Sequence, residues 1–209
     1  MSRAMPLPII HINGFPGIGK LTIARELVAL LAPYNGKLVH NHLLIDPASA
    51  ILPRTSADYQ PLRQAIRAVV FNTLATSPDT FDSVFVFTDF QSTDDVGRAA
   101  MAEYHAMAAR RGCTFVSITV TCDKEENLRR LTSSERSLHG KLIDVELVTH
   151  IRDNSMIYQS PKYHFPMELD LTELDADTAA RIIHQHVLEV CAELSPQPGK
   201  AISDVDMES

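Results

Sequence analysis

Gly14-Phe15-Pro16-Gly17-Ile18-Gly19-Lys20-Leu21-Thr22 is the most informative segment of this chain for its fold. An apolar run at residues 7–12 precedes it, and an amphipathic segment at residues 21–31 follows it. A strand, then a glycine-rich loop ending in Gly-Lys, then a helix is an arrangement that binds phosphate groups. The glycines let the loop turn its backbone N–H groups toward an anion, and the helix N-terminus adds positive potential. We therefore expect a phosphate site formed by Gly14, Gly17, Ile18, Gly19, Lys20, Leu21 and Thr22.

The alternative for this stretch is a plain glycine-rich turn between a strand and a helix. It accounts for Gly14 and Gly17, but it gives no reason for Lys20 in the first turn of a helix. The helix macrodipole disfavours a cation at that end. We therefore expect Lys20 to bridge the outer phosphates of a nucleoside triphosphate and to act as a catalytic residue.

The pattern Gly-x-Pro-Gly-x-Gly-Lys-x-Thr at residues 14–22 resembles the P-loop of adenylate kinase and of related nucleotide and small-molecule kinases. The usual P-loop has Ser or Thr directly after the lysine, whereas this chain has Leu21 there and Thr22 next. The resemblance implies that Thr22 serves near the phosphates, and that Mg²⁺ is held largely by phosphates, water and a carboxylate. The chain has no Asn-Lys-x-Asp run of the kind that recognises guanine, so we expect ATP as the nucleotide.

Length and composition favour a single α/β domain. The chain has 209 residues, of which 45% are apolar and 22% charged, as in ordinary soluble proteins. We predict that residues 1–194 form one nucleotide-binding domain and that residues 195–209, rich in Pro, Gly, Ser and Asp, form a flexible tail. The formal net charge of −7 disfavours nucleic acids and acidic membranes as partners.

The cysteines and the apolar runs indicate the cellular compartment of the protein. Cys113, Cys122 and Cys191 are widely spaced and form no Cys-x-x-Cys pair, which argues against a zinc site or a disulfide framework. The apolar runs are too short for a membrane span, and residues 1–12 lack the apolar core of a signal peptide. We expect a cytoplasmic protein, whose oligomeric state the sequence leaves open.

Strand and helix patterns alternate along the chain, which predicts a three-layer α/β/α fold with a five-stranded, mainly parallel sheet. The predicted strands are residues 7–13, 37–40, 83–88, 114–121 and 167–171. The predicted helices are residues 19–31, 60–75, 94–111, 124–131, 142–158 and 175–194. In such sheets ligands bind at the carboxyl ends of the strands.

Asp89 ends the apolar strand pattern at residues 84–88. In P-loop proteins an acidic residue at this place organises the Mg²⁺ shell. The alternative is an Asp that begins a turn, which is a common position for this residue. With the phosphate loop present, we favour a metal site made by Asp89 together with Thr22.

Basic residues cluster after the fourth strand, around residues 132–141. This stretch resembles the short lid of shikimate, gluconate and chloramphenicol kinases. The resemblance implies that Arg136 neutralises developing charge as a catalytic residue, with Arg129 or Arg130 in support at the nucleotide and Arg152 as a further candidate. The alternative is a solvated helix face, because the i,i+4 pairs Glu125–Arg129 and Glu126–Arg130 would satisfy these arginines structurally.

His42 and Asp46 follow the second strand and are the candidate bases. A kinase that acts on a hydroxyl benefits from a general base near the attacking oxygen. Their i,i+4 spacing places both side chains on one face if this segment is helical. The alternatives are a structural histidine and a turn residue before Pro47.

The candidate acceptor-binding residues lie on the third helix and after the third strand. Arg63 and Arg67 have i,i+4 spacing, and nucleoside monophosphate kinases use arginines of this region to hold the acceptor phosphate. The pair therefore suggests an anionic acceptor. An exposed helix stripe is the alternative. Phe90 and Gln91, just past Asp89, are expected to line the same pocket.

Taken together, residues 7–194 resemble the P-loop kinase branch of the nucleoside-triphosphate-binding proteins, including small predicted kinases often labelled simply as ATPases. We expect an ATP-dependent phosphotransferase that uses Mg²⁺ and a small polar or anionic acceptor. Two alternatives stay open. One is a nucleotide-dependent switch that acts on a protein partner, and the other is a degenerate nucleotide-binding module.

Overall fold

The computed structural model describes residues 5–132 and 145–194. Five strands form one sheet in the order β2-β3-β1-β4-β5, and every neighbouring pair is parallel. The predicted five-stranded parallel sheet is confirmed. The strands are β1 Ile9–Asn13, β2 Lys37–His40, β3 Phe85–Asp89, β4 Phe115–Thr121 and β5 Met167–Asp170.

Helices cover both faces of this sheet. They are α1 Lys20–Leu30, α2 His42–Ile51, α3 Tyr59–Thr76, α4 Asp95–Arg111, α5 Lys124–Leu131, α6 Val145–Asn154 and α7 Ala176–Val190. In the described part of the chain, no helix is long and apolar enough to cross a bilayer.

Strand β1 shows how the sequence divides the core into two layers. Successive strand residues point to opposite faces of a sheet. Ile10 and Ile12 pack into the core under α1 and α7, whereas Ile9 packs into the core under α3 and α4. Both faces are therefore apolar, as expected for a parallel strand that is covered on each side.

Capping interactions at the helix ends set the bounds of two helices. The Asp94 carboxylate accepts a hydrogen bond of 2.7 Å from the Gly97 N–H at the start of α4, and Gly112 ends that helix with a φ of 74°. The Asp175 carboxylate accepts in the same way from Thr178 N–H at the start of α7. These contacts satisfy backbone groups that a helix end leaves without a partner.

Two segments differ from the sequence expectation. The predicted helix at 142–158 ends at Asn154, because the following residues pair with the loop after β3 through an antiparallel bridge between Ser92 and Ile157. The segment after β2 is a full helix, α2, although it contains Pro47. The predicted lid at 132–141 falls almost wholly outside the described residues, and the predicted tail at 195–209 lies wholly outside them.

Candidate active site

The carboxyl ends of β1 and β3 bring the phosphate loop beside a buried acid. Asn13, the last residue of β1, lies in register opposite Asp89, the last residue of β3. The loop at residues 14–19 leaves β1 at this point and enters α1. Parallel pairing of β1 with β3 therefore places the predicted phosphate site next to Asp89, the predicted metal residue.

Glycine is required in the loop for two different reasons. Gly17 and Gly19 have φ values of 91° and 111°, in the left-handed region that side chains disfavour. At Gly14 the reason is space, since a Cβ atom would lie 2.7 Å from both Val120 Cγ2 and the Val120 carbonyl oxygen. The loop is thus packed tightly against the end of β4.

Lys20 lies over the loop that it follows. Its Nζ atom donates to the carbonyl oxygens of Gly14 at 2.5 Å and Phe15 at 2.8 Å. Among the described residues, no side chain caps the N-terminus of α1, and its first turn carries no acidic residue. An anion at this helix end would therefore meet positive potential from the helix and from the ammonium group.

The remaining loop residues differ in exposure. Ile18 is fully buried, and its carbonyl oxygen accepts from Arg130 Nη1 at 3.2 Å. Leu21 is half-buried and Thr22 is exposed. The Thr22 N–H donates to the Gly19 carbonyl oxygen at 3.0 Å. The proposed contact of Thr22 with the Mg²⁺ shell stays a prediction.

Asp89 is buried and firmly held. One carboxylate oxygen accepts from the Phe90 N–H at 2.8 Å, and the other accepts from Gln91 Nε2 and, at 3.5 Å, from the Tyr104 hydroxyl. Burial raises the pKa of Asp89, and the hydrogen bonds from Gln91 and Phe90 together with the charges of Arg63 and Lys20 oppose the rise. A preformed carboxylate beside a phosphate loop is the kind of oxygen donor that a phosphate-bound Mg²⁺ uses.

Asn13 fixes the loop that follows Asp89, and sequence reasoning missed it. Its side chain donates to the Gln91 carbonyl oxygen at 2.9 Å and accepts from the Gln91 N–H at 2.8 Å. It also donates to the Tyr158 carbonyl oxygen at 3.3 Å. A polar residue at the end of an otherwise apolar strand was the available signal.

A cavity of about 640 Å³ adjoins Asp89. Side chains of α2, α3, α4 and α6 and of the loop after β3 line it. Six of the predicted site residues meet there, namely His42, Arg63, Arg67, Asp89, Phe90 and Gln91. Other lining residues are Pro16, Asn41, Ile45, Arg54, Gln60, Ser92, Asp94, Val96, Gly97, Ala100, Leu147 and Ile151.

The arginines of the cavity have different partners. Arg67 Nε lies 2.6 Å from Glu103 Oε2 in a largely buried ion pair. Burial lowers the pKa of Arg67, but the hydrogen bond and charge of Glu103 outweigh it, so that the pKa is raised. Arg63 instead donates to Gln60 Oε1 at 3.2 Å and lies over the Tyr59 ring. Arg54, which lies in the polar connection before α3, was missed because that segment has no periodic pattern.

His42 and Asp46 lie on one face of α2, as their spacing predicted. His42 Nδ1 and Asp46 Oδ1 are 3.0 Å apart, and the side chains are 43% and 66% exposed. His42 lines the cavity, whereas Asp46 is not among the lining residues. Asp46 therefore contacts His42 without lining the cavity, and the role of either as a base stays a prediction.

On the lid side, Arg130 rather than Arg129 contacts the phosphate loop. Arg129 is 73% exposed and pairs with Glu126 at 2.6 Å. Arg130 also pairs with Glu126, but it donates to Ile18 and Leu171 carbonyl oxygens as well. The predicted nucleotide contact of Arg129 stays a prediction, and Arg136 lies outside the described residues.

Asn127 and Arg152 form a second connection to the loop. Asn127 is fully buried, and its Nδ2 donates to the Pro16 carbonyl oxygen at 3.1 Å. Its Oδ1 accepts from Arg152 Nη1 at 2.8 Å, and the Arg152 guanidinium lies 4.8 Å from the centre of the Phe15 ring. The tip of the phosphate loop is thus attached to both α5 and α6.

The described side chains form no group of three or more His, Cys, Asp or Glu residues placed to hold a metal ion. The donor atoms of residues 5–132 and 145–194 therefore do not form a site for a tightly bound structural metal ion. A Mg²⁺ ion that arrives with nucleotide phosphates needs fewer protein ligands. The residues present fit that second arrangement, with Asp89 as the carboxylate.

Solved structures of small-molecule kinases match nearly the whole chain. A gluconokinase from Sinorhizobium meliloti is 13% identical with a TM-score of 0.55, and the match covers 90% of this chain and 95% of that one. Shikimate kinase from Acinetobacter baumannii, in complex with shikimate, is 20% identical with a TM-score of 0.50 and coverages of 88% and 94%. The APS kinase of Mycobacterium tuberculosis, in complex with AMPPNP and APS, is 17% identical with a TM-score of 0.58 and coverages of 88% and 99%.

No protein-family model matches the chain, and no curated protein sequence matches it. At sequence identities of 13–20%, these structural matches establish the fold of the chain. The chain has the three-layer α/β/α fold of the P-loop small-molecule kinases, which confirms the predicted fold class.

Proposed function

We propose that this protein is an ATP-dependent phosphotransferase that transfers the γ-phosphoryl group of ATP to a small polar or anionic acceptor. The observation that supports this most strongly is the position of Asp89. It lies in register beside the end of β1, where the phosphate loop begins, and it also lines the 640 Å³ cavity. Donor and acceptor sites that share one buried carboxylate suit transfer between two bound molecules.

On the donor side, the backbone N–H groups of the phosphate loop bind the phosphates, and Lys20 bridges the outer two. Asp89 and Thr22 organise Mg²⁺, which neutralises charge on the phosphate oxygens when it is bound. Lys20 already lies against the Gly14 and Phe15 carbonyl oxygens, so a small movement of a flexible side chain brings its ammonium group to a phosphate.

On the acceptor side, Arg63 binds a polar or anionic group, and Arg67, held by its ion pair with Glu103, lines the pocket with Phe90 and Gln91. A hydroxyl oxygen of the acceptor forms the new bond to phosphorus as the bond to the bridging oxygen breaks. ADP leaves with that electron pair, and the hydroxyl proton passes to His42, which Asp46 orients. The hydrogen bond of 3.0 Å between these two side chains supports the assignment.

Exclusion of water is the remaining requirement, because a bound water would compete with the acceptor for the phosphoryl group. The segment at 132–141 is the proposed lid that excludes water. Arg136 then neutralises charge that develops on the transferring group, and Arg129 contacts the nucleotide.

The test compares Lys20→Ala with Arg25→Ala, a neighbouring loss of a cation from an exposed position of α1. Nucleotide binding is measured by thermal shift with ATP, ADP and GTP, each with and without Mg²⁺. ADP release is then measured against a pool of small hydroxyl-bearing metabolites. We expect ATP to raise the melting temperature by mass action, and acceptor-dependent ADP release in wild type and Arg25→Ala only.

Unchanged ADP release in Lys20→Ala would overturn the proposed function. ATP binding without release of ADP on any acceptor would instead favour a switch that responds to a protein partner.

A further inference from the structure

The cavity beside Asp89 has two chemically different walls. Arg54 and Arg63 belong to one wall, on α3 and the connection before it. Val96, Leu147 and Ile151 belong to the other, on α4 and α6. A ligand that fills the cavity must satisfy both walls, so their chemistry restricts its class.

The cationic wall carries two arginines that have no carboxylate partner at ion-pair distance among the described residues. In the described part of the chain, neither Arg54 nor Arg63 forms an ion pair with a carboxylate, whereas Arg67 is paired with Glu103. A guanidinium group offers several N–H donors in a planar fork that matches carboxylate and phosphate oxygens. These two arginines are therefore the pair that an anionic group on a ligand would engage.

The acidic residues of the cavity form no ion pair with these arginines, and their oxygens accept hydrogen bonds from other groups. The Asp94 carboxylate caps α4 through the Gly97 N–H. The Asp89 carboxylate accepts from the Phe90 N–H and from the Gln91 side chain. Neither acid lies within ion-pair distance of Arg54 or Arg63 among the described contacts.

The apolar wall presents large side chains to the opening. Val96 is 61% exposed and Leu147 is 40% exposed, although both line a concave surface. Ile151 of α6 and Ile45 of α2, both half-buried, also line the cavity. Apolar side chains grouped around a cavity are a feature of ligand sites, because an apolar ligand surface removes them from water.

We infer that the phosphoryl acceptor is amphipathic, with one anionic group bound by Arg54 and Arg63 and an apolar body packed against Val96, Leu147 and Ile151. This inference rests on the proposed function and narrows its acceptor class. A simple polyol satisfies neither wall, and a small hydroxy acid without an apolar body satisfies only the first. Carboxylate and phosphonate share the chemistry that the arginines recognise.

The test measures binding by calorimetry to the full chain saturated with a non-hydrolysable ATP analogue. The probes are 4-(2-hydroxyethyl)benzoate, its phosphonate counterpart, 2-phenylethanol, glycerate and xylitol. We expect the benzoate or the phosphonate to bind about tenfold or more tightly than the other three, since only they match both walls. The better of the two identifies the anion.

Variants then assign the preference to each wall. Arg54→Ala combined with Arg63→Ala should reduce the affinity for the amphipathic anion to that for 2-phenylethanol. Leu147→Ser should reduce it toward that for glycerate. Arg98→Ala is the control, because Arg98 is an exposed arginine of α4 whose Nε donates to the Thr93 carbonyl oxygen and which does not line the cavity.

Equal or tighter binding of xylitol or glycerate would overturn the inference, as would an unchanged preference in the double arginine variant. Failure of the proposed function is distinct. It would appear as absence of ATP-analogue binding, or as absence of phosphoryl transfer to every hydroxyl compound in the metabolite pool. Transfer to neutral polyols alone would keep the kinase and reject the amphipathic acceptor.

Discussion

The proposed donor and acceptor regions of the site are built in different ways. The phosphate loop is one continuous stretch that needs glycine for its backbone conformation at Gly17 and Gly19 and for space at Gly14. The acceptor cavity is lined by side chains from α2, α3, α4, α6 and the loop after β3. Asp89 lies between the two. A ligand that the backbone binds needs a local motif, whereas a ligand that side chains bind depends on the tertiary fold.

Asp89→Asn should have the largest effect, because it removes the charge that the two regions share. The amide keeps an oxygen that can accept from the Phe90 N–H, so we expect the fold to be retained. Acceptor-dependent ADP release should fall by about 10²–10³-fold, as when one electrostatic contact to the transition state is lost. Steady-state assays measure the fall, with Asp95→Asn, at the start of α4, as the control. A loss of less than about threefold would separate Asp89 from the chemistry.

Gly14→Ala tests whether the donor loop depends on close packing. A Cβ atom there would lie 2.7 Å from the Val120 carbonyl oxygen, which cannot move without distorting β4. We expect the free energy of unfolding to fall by about 2–3 kcal/mol and ATP binding to be lost. Urea denaturation measures the first quantity and thermal shift the second.

Gly112→Ala is the matched control, because its φ is 74° but a Cβ atom would meet nothing within 4 Å. Its cost should be only about 1 kcal/mol from backbone strain, with ATP binding intact. Equal effects of the two substitutions would show that tight packing of the loop is unimportant.

His11 makes the strand beneath the donor loop sensitive to acid. It is fully buried, both ring nitrogens lack hydrogen-bond partners among the described residues, and the ring packs on Tyr104. Burial lowers the pKa of His11 to about 3, with smaller effects from the charges of His105 and Lys20. Below pH 6.5 the unfolded chain therefore binds a proton at His11 that the folded protein does not bind. The contribution of His11 to the free energy of unfolding is thus fully present above pH 6.5 and is lost as the pH falls toward 3.

His11→Phe should remove this loss. The difference in free energy of unfolding between the variant and wild type should shift in favour of the variant by up to about 2 kcal/mol between pH 7.5 and pH 5. Each pH unit is worth about 1.4 kcal/mol per proton. Urea denaturation at pH 7.5, 6 and 5 measures the difference. Parallel pH profiles of the two proteins would mean that His11 is not the group responsible.

Arg63→Ala and Arg67→Ala should separate ligand binding from support of the fold on the acceptor side. Arg63 makes no ion pair among the described residues, so its loss should raise the acceptor KM by about tenfold at constant stability. Arg67→Ala should also lower stability, because it leaves the partly buried Glu103 without its cation. Steady-state kinetics and urea denaturation on both variants distinguish these effects. A stability loss as large in Arg63→Ala would contradict the distinction.

The sequence predicted most of the fold because its signals are local. The strand at Lys37–His40 and the helix at Lys124–Leu131 match the predicted bounds, and Asp175, the first residue of the predicted helix at 175–194, caps α7. The end of α6 was not predictable. It depends on pairing between Ile157 and Ser92, which are distant in sequence.

The same distinction applies to the site. The phosphate loop was predicted from nine adjacent residues, and parallel pairing explains why Asp89 lies beside it. Arg54 was missed, since a cation in an aperiodic connection gives no local sign of facing a cavity. The partner of Arg67 was missed as well, because Glu103 is 36 residues away and meets it only through packing of α3 on α4.

The proposed function requires direct transfer of a phosphoryl group between two molecules bound on either side of Asp89. The most direct measurement is ³¹P NMR of ATP, Mg²⁺ and the metabolite pool with wild type and with Lys20→Ala. We expect one phosphorylated product for each ADP formed by wild type, with little inorganic phosphate, and neither species with Lys20→Ala. ADP and inorganic phosphate in equal amounts, independent of any acceptor, would contradict it.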